Sequence, residues 1–160
     1  MEIRRLREAD VRALVEDLWL PFAREMEPVA DRNRLADGVD LVAAGVDHRE
    51  ERLADDGAVT WVAVDGGELV GYAAASVESS APVFAAGDRL HVGELYVREP
   101  YRGEGVADDL LDRADAAAAA RGCERVTLDV DVGNERARAF YEKRGFDVAR
   151  HRMVDRVDGA

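Results

Sequence analysis

The residues best suited to chemistry sit near the middle of the chain, in the run Leu95-Tyr96-Val97-Arg98-Glu99-Pro100-Tyr101-Arg102-Gly103-Glu104-Gly105-Val106-Ala107. A β-rich run ends, Pro100 turns the chain, and Gly103 and Gly105 lead into a helical pattern. Glycine lets backbone approach a ligand and adopt positive φ. A helix start adds unpaired N–H groups and a positive dipole end, which together suit an anion. Three phosphate-binding patterns compete for this turn. A P-loop needs Gly-Lys-Ser/Thr, which is absent. A dinucleotide fingerprint needs a small residue where Asp108 stands, usually in the first βα unit of a domain. The pattern Arg/Gln-x-x-Gly-x-Gly/Ala is met by Arg102, Gly105 and Ala107. An ordinary strand-to-helix turn would use the same glycines, so the turn by itself reads as anion-friendly and no more.

Other reactive side chains are scattered. Cys123 is the single cysteine, which excludes an internal disulfide and a thiolate metal cluster; it stands just before a β-rich run and reads as a buried residue. His48, His91 and His151 show no ligand spacing, so no metal is expected.

These residues need elements to hold them. Glu2 to Leu6 alternates as a short strand, and Asp10 is a plausible N-cap for the helix after it. Val11, Leu14, Val15, Leu18 and Phe22 form an amphipathic stripe. Pro21 and Pro28 are expected to break or bend the chain beyond that stripe. Asp31 to Asp55 reads as one or two helices. Ala58 to Val64 and Glu68 to Val77 are strands joined by the hairpin signal Asp65-Gly66-Gly67. Ser79 to Asp88 is a loop and Leu90 to Val97 a strand. Glu104 to Arg121 is a helix burying Leu110, Leu111 and Ala114, with Gly122 as its cap. Arg125 to Val132 is a strand, Asn134 to Arg144 a helix closed by Gly145, and Phe146 to Val154 strand-like. The order β-α-α-β-β-β-α-β-α-β predicts an α/β protein with a mixed, mostly antiparallel central sheet flanked by helices. Residues 1–160 read as a single domain.

In this order, three blocks align with a known pattern: Leu95-Tyr96-Val97, the turn Arg102 to Ala107, and the later set Asn134, Ala137, Tyr141, Gly145 and Phe146. The sequence resembles the GNAT superfamily of N-acetyltransferases over about residues 2 to 150. That resemblance implies acetyl-CoA as co-substrate, with no metal. It places a β-bulge and the pantetheine arm at Leu95, Tyr96 and Val97, and the pyrophosphate on Arg102, Gly103, Glu104, Gly105, Val106, Ala107 and Asp108. Asp108 departs from the family, which often has a neutral or basic residue there. Asn134 matches a position near the pantetheine arm and is equally a helix N-cap. Tyr141 lies two helical turns on, on the same face, and matches the general acid that protonates the departing thiolate. The resemblance further implies that the amine attacks the thioester directly and that the oxyanion meets a backbone N–H.

The attacking amine must shed a proton, so a base is useful. Glu94, His91, Asp129 and Asp131 are the candidates, with Glu94 favoured. Strand alternation puts His91 and Glu94 on opposite faces unless the bulge changes the phase. The implied function is acetyl transfer from acetyl-CoA to a primary amine, be it a protein N-terminus, a lysine or a small amine. The alternative is a module that binds acyl-CoA without turning it over.

Composition bounds the setting. The chain has 22 basic and 34 acidic residues, a net charge of −12, and Lys143 is the only lysine. Such a surface resembles those of salt-in halophiles, where dense salt screens the repulsion. No basic patch supports nucleic-acid binding. No apolar run suits a membrane span or a signal peptide, so the expected location is the cytoplasm. Dimers are frequent in the resembled family, which leaves a homodimer open.

Overall fold

A computed structural model describes residues 1–158. It forms two compact units, Met1–Asp129 and a second beginning at Val130.

The first unit is built on a five-stranded sheet in the order β1 (Glu2–Arg5), β2 (Ala58–Asp65), β3 (Glu68–Glu78), β4 (Arg89–Val97) and β5 (Arg125–Leu128). Neighbours are antiparallel except β4 and β5, which are parallel. The hairpin at Asp65-Gly66-Gly67 is present as the sequence suggests. Gly66 and Gly67 both have positive φ, 57° and 86°, which a tight two-residue turn between twisted strands requires.

Two helices lie ahead of the hairpin, and α1 is the first. It joins α-helical Val11–Ala13, a π-helical stretch Leu14–Trp19 and α-helical Leu20–Met26. Pro21, expected to break or bend the chain, does not end the helix. The widened turn explains why: Leu20 N bonds to Val15 O, five residues back, and proline offers no N–H that the ladder could miss. Pro28 does come after the helix end. Asp10 is not a side-chain cap for α1. Its carboxylate accepts from Arg7 N at 2.9 Å and from Arg4 Nη1 at 2.6 Å, closing the turn before the helix. Asp31 to Asp55 resolves into a 3-10 turn, Asp31–Asn33, and one helix, α2 (Leu41–Leu53), capped by Asp40, which accepts from Ala43 N.

The predicted stripe on α1 is buried: Val11, Leu14, Val15 and Leu18 pack with Tyr72, Ala74 and Tyr96 of the sheet. Helix α3 (Val106–Ala120) packs against β2, β3 and β4, burying Val106, Leu110, Leu111, Ala114 and Ala118. Gly71 permits close approach on that side. A Cβ there would lie 3.0 Å from Tyr96 O and 3.5 Å from Val106 Cγ1.

The second unit contains α4 (Glu135–Arg144), capped by Asn134, whose Oδ1 accepts from Ala137 N at 3.2 Å, and ended by Gly145 at φ 109°. The strand expected over Phe146 to Val154 is not formed; residues 146–157 are neither helix nor strand. Alternation alone does not make a strand, because a strand needs a neighbour to complete its ladder. The strand expected to reach Val132 ends at Leu128.

Candidate active site

Strand β4 carries the irregularity on which the site depends. Ala74 pairs with Glu94 and Ala75 with Val92, so Gly93 is the extra residue of a bulge. The resemblance places the bulge at Leu95, Tyr96 and Val97. Those three instead pair in regular register with Ala73, Tyr72 and Gly71. Glycine in a strand interior is itself a bulge signal, so Gly93 was the readable clue. The shift has a consequence for the candidate bases. Directly opposed residues share a face, and His91 opposes Ser76 while Glu94 opposes Ala74. His91 and Glu94 therefore lie on one face, the face of Tyr72 and Tyr96.

On its other edge β4 pairs with β5 only from Arg89 to Val92. From Gly93 to Val97, this edge has no strand partner among the described residues. Along Leu95 to Val97 the backbone groups facing this edge thus have no strand partner, although Val97 O is taken by the Arg102 side chain at 2.7 Å.

The chain then passes a 3-10 turn, Glu99–Tyr101, and enters the glycine turn. Gly103 and Gly105 have φ of 80° and 84°. Both lie in the left-handed region that disfavours every other residue type. Gly105 is the N-cap of α3, and the first helical bond runs from Asp109 N to Gly105 O. The N–H groups of Val106, Ala107 and Asp108 open the helix ahead of that bond. Gly103, Glu104 and Gly105 are exposed. Asp108 and Asp109 occupy the first turn, where the helix dipole favours acids.

Arg102 is not directed at an anion through its side chain. Its Nε donates to Val97 O at 2.7 Å, its Nη2 reaches Glu25 at 3.0 Å, and its guanidinium lies over the Tyr96 ring at 5.5 Å. It fastens the turn to β4 and α1, leaving backbone to bind. Glu25 has no sequence signal that would have paired it with Arg102 across 77 positions.

Glu94 is ion-paired to Arg49 of α2 at 2.5 Å, and Arg49 is 1% exposed. The Arg49 guanidinium also sits 5.4 Å from the Tyr72 ring centroid. Tyr72 is held well above its usual pKa by burial, with the Glu94 carboxylate adding to the effect. His91 is held by Thr127 Oγ1 at 2.9 Å from Nδ1 and by Asp129 at 3.5 Å from Nε2. A cavity of about 220 Å³ opens beside Glu94, lined by His48, Arg49, Arg52, Ala74, Ser76, Gly93 and Glu94. Sequence reasoning missed Arg49 and Arg52. Arginines three apart on a loosely patterned helix read as surface charges.

In the second unit, Tyr141 packs edge-on against Phe140 and Phe146, with centroids 5.5 Å and 5.7 Å away. Burial pushes its hydroxyl up to about 12. Asp131 and Asn134 belong to the same unit, and Asn134 N bonds to Asp131 O at 2.8 Å. Cys123 is partly buried rather than fully buried. Among the described residues no group of His, Cys, Asp or Glu could hold a metal, and no helix is long and apolar enough to cross a membrane.

Comparison with known proteins bears on the family and the fold. The model of the acetyltransferase (GNAT) family matches residues 13–146. The N-alpha-acetyltransferase MAK3 of Arabidopsis thaliana is 45% identical over 58 residues, 36% of this chain and 30% of that protein. An uncharacterized N-acetyltransferase of Mycobacterium tuberculosis strain H37Rv is 34% identical over 99 residues, 61% of this chain and 58% of the relative. These alignments thus cover less than two thirds of either relative. The aminoglycoside N-acetyltransferase AAC(6')-Iy in complex with CoA superposes with a TM-score of 0.76 at 18% identity, covering 98% of this chain and 94% of that one.

Proposed function

The chain belongs to the GNAT acetyltransferase family, and from that membership we propose that it moves an acetyl group from acetyl-CoA to a primary amine. The observation that carries this reading is the meeting of a free β4 edge, Leu95 to Val97, with the positive-φ turn of Gly103 and Gly105 that opens α3. An extended amide-bearing arm suits the first, and a pyrophosphate suits the second. The turn binds through the backbone of Arg102, Gly103, Glu104, Gly105, Val106, Ala107 and Asp108. The CoA-bound aminoglycoside acetyltransferase of the same fold supports the choice of ligand.

In this mechanism, the neutral amine attacks the thioester carbonyl and a β4 N–H stabilises the oxyanion. Glu94, directly or through water, takes the ammonium proton. The phenol of Tyr141 donates its proton to the CoA thiolate as the tetrahedral adduct collapses. Asn134 caps α4 and so sets the register that carries Tyr141. The family match runs from 13 to 146 across both compact units, which supports a single working domain over residues 1–160. The acidic, lysine-poor composition supports a protein working in a salt-rich cytoplasm.

Acetyl-CoA titrated into the protein in molar KCl tests this reading. At about 100 times its dissociation constant it should add roughly 2.7 kcal/mol of stability. Release of free CoA thiol should then require an added amine. A protein whose melting temperature ignores acetyl-CoA would not be an acetyl-CoA enzyme.

A further inference from the structure

The cavity beside Glu94 has the opposite charge character to the molecule around it. The chain carries −12, yet the charged side chains lining this cavity are Arg49 and Arg52 against the single carboxylate of Glu94. Three facts make it a built site rather than a surface dent. Arg49 is 1% exposed and spends only Nη2 on Glu94; its Nε and Nη1 have no hydrogen-bond partner among the described residues. Arg52 donates through Nη2 to Ala75 O at 2.8 Å, and its buried Nε is likewise without a partner. Three buried guanidinium nitrogens without acceptors, on two residues that line one cavity, are unusual, because such donors are costly to leave unmet.

Burial, and then the neighbouring Arg49, pull Arg52 below its ordinary pKa. That is the behaviour of a cation in need of a counter-charge. A purely structural role for the two arginines is satisfied by the Glu94 pair and the Ala75 carbonyl, and it leaves those three donors unused.

The cavity also lies where an acceptor must lie. Gly93 and Glu94 belong both to its wall and to β4, immediately before the free-edged segment Leu95 to Val97. At about 220 Å³ it is smaller than the ~300 Å³ at which ordinary small-molecule pockets begin. Guanidinium groups match carboxylate in both charge and fork geometry.

We propose that this cavity is the acceptor pocket and that it selects small primary amines bearing a carboxylate, with Arg49 and Arg52 holding the carboxylate and Glu94 facing the amine. The proposal rests on the acetyl-transfer reading above. It assigns an acceptor class unlike a polycationic amine, which would place positive charge against two buried guanidinium groups.

The test compares matched acceptors: glycine, β-alanine and L-glutamate against glycinamide, β-alaninamide and putrescine. All are assayed by CoA thiol release at saturating acetyl-CoA, with the acetyl-CoA melting shift measured alongside. At least one free acid should exceed its amide tenfold in kcat/KM. The amide's amine is the weaker base, so more of it is neutral, and greater nucleophile supply cannot produce that preference. Arg52→Gln, less buried than Arg49, should raise KM for the acid at least fivefold while the acetyl-CoA melting shift persists, which shows the variant is folded. Equal turnover of acids and amides, preference for putrescine, or an Arg52→Gln effect on kcat alone overturns the proposal and leaves acetyl transfer standing. No acetyl-CoA shift and no thiol release with any amine overturns both.

Discussion

Among the described residues, Glu94 is the one hydrogen-bond partner of the buried guanidinium of Arg49. Replacing it with alanine leaves a cation with no counter-charge at a site 1% exposed. Breaking a buried pair from one side costs about 3 kcal/mol or more. Glu94→Ala should therefore unfold at markedly lower denaturant than wild type, with an unchanged slope. Glu94→Gln keeps an acceptor and should lose about half as much stability. It should still lose at least tenfold in kcat/KM if Glu94 takes the amine proton. Tyr141 presents a different residue-scale case, because its hydroxyl is pushed from 10.0 to about 12 by burial. The phenol stays protonated through the whole neutral and mildly alkaline range, so its ionisation should not cut kcat below about pH 11. Tyr141→Phe should lower kcat about 10²-fold while the acetyl-CoA melting shift persists. Folding raises this pKa, so the native state binds the proton more tightly than the unfolded chain. Its contribution, at most roughly 3 kcal/mol, is complete below pH 10 and is lost as pH rises toward 12. Across that window the wild type should lose stability that Tyr141→Phe keeps, so its melting temperature should fall more steeply with pH than that of the variant.

Elements were legible where local pattern decides them. The stripe Val11 to Phe22, the Asp65-Gly66-Gly67 hairpin, and the Leu110, Leu111, Ala114 face each derive from periodicity or turn chemistry that survives packing. The glycine turn and the Asn134 cap were legible for the same reason. The features that were not legible depend on distant partners. The bulge had a local sign in Gly93, but the residue at which it falls is settled by register against the whole β3 ladder. Pro21 failed to end α1 because a widened turn absorbed it. Arg49, Arg52 and Glu25 gained their roles from residues 23 to 77 positions away, and no window on the sequence contains both ends. One prediction belongs to this scale. Gly45 of α2 faces the π-helical stretch of α1, and a Cβ there would lie 2.8 Å from Val15 Cγ1 and 3.4 Å from Trp19. Glycine to alanine inside a helix is ordinarily worth about 1 kcal/mol of stability. Gly45→Ala should instead destabilise by about 1–2 kcal/mol in chemical denaturation, because Val15 is fully buried and cannot yield.

At the scale of the whole molecule, the net charge of −12 governs behaviour more than any single ion pair. Most of the ion pairs are exposed or partly so, such as Arg12–Glu16 and Arg138–Glu142, and such pairs are worth little. Repulsion among carboxylates dominates at low salt, where the screening length is about 10 Å at 0.1 M against about 3 Å at 1 M. The melting temperature should rise steadily with KCl between those concentrations. A flat or falling curve would remove the case for a salt-adapted surface. The Arg49–Glu94 pair, being largely buried, should contribute little to that slope.

The parting of β4 from β5 after Val92 bears on solubility as well as on ligand binding. A strand edge with open hydrogen-bonding groups invites any passing chain to add itself as the next strand, and aggregation begins that way. Here β5 ends at Leu128, level with Val92, and the open edge is only five residues long, from Gly93 to Val97. So short an edge offers an incoming sheet few bonds to make, while a single thread of amides can use all of it. Its length thus limits what may complete the sheet. Lengthening β5 alongside Val97 should cover the edge and abolish the acetyl-CoA melting shift, and removing β5 should expose the edge to self-association.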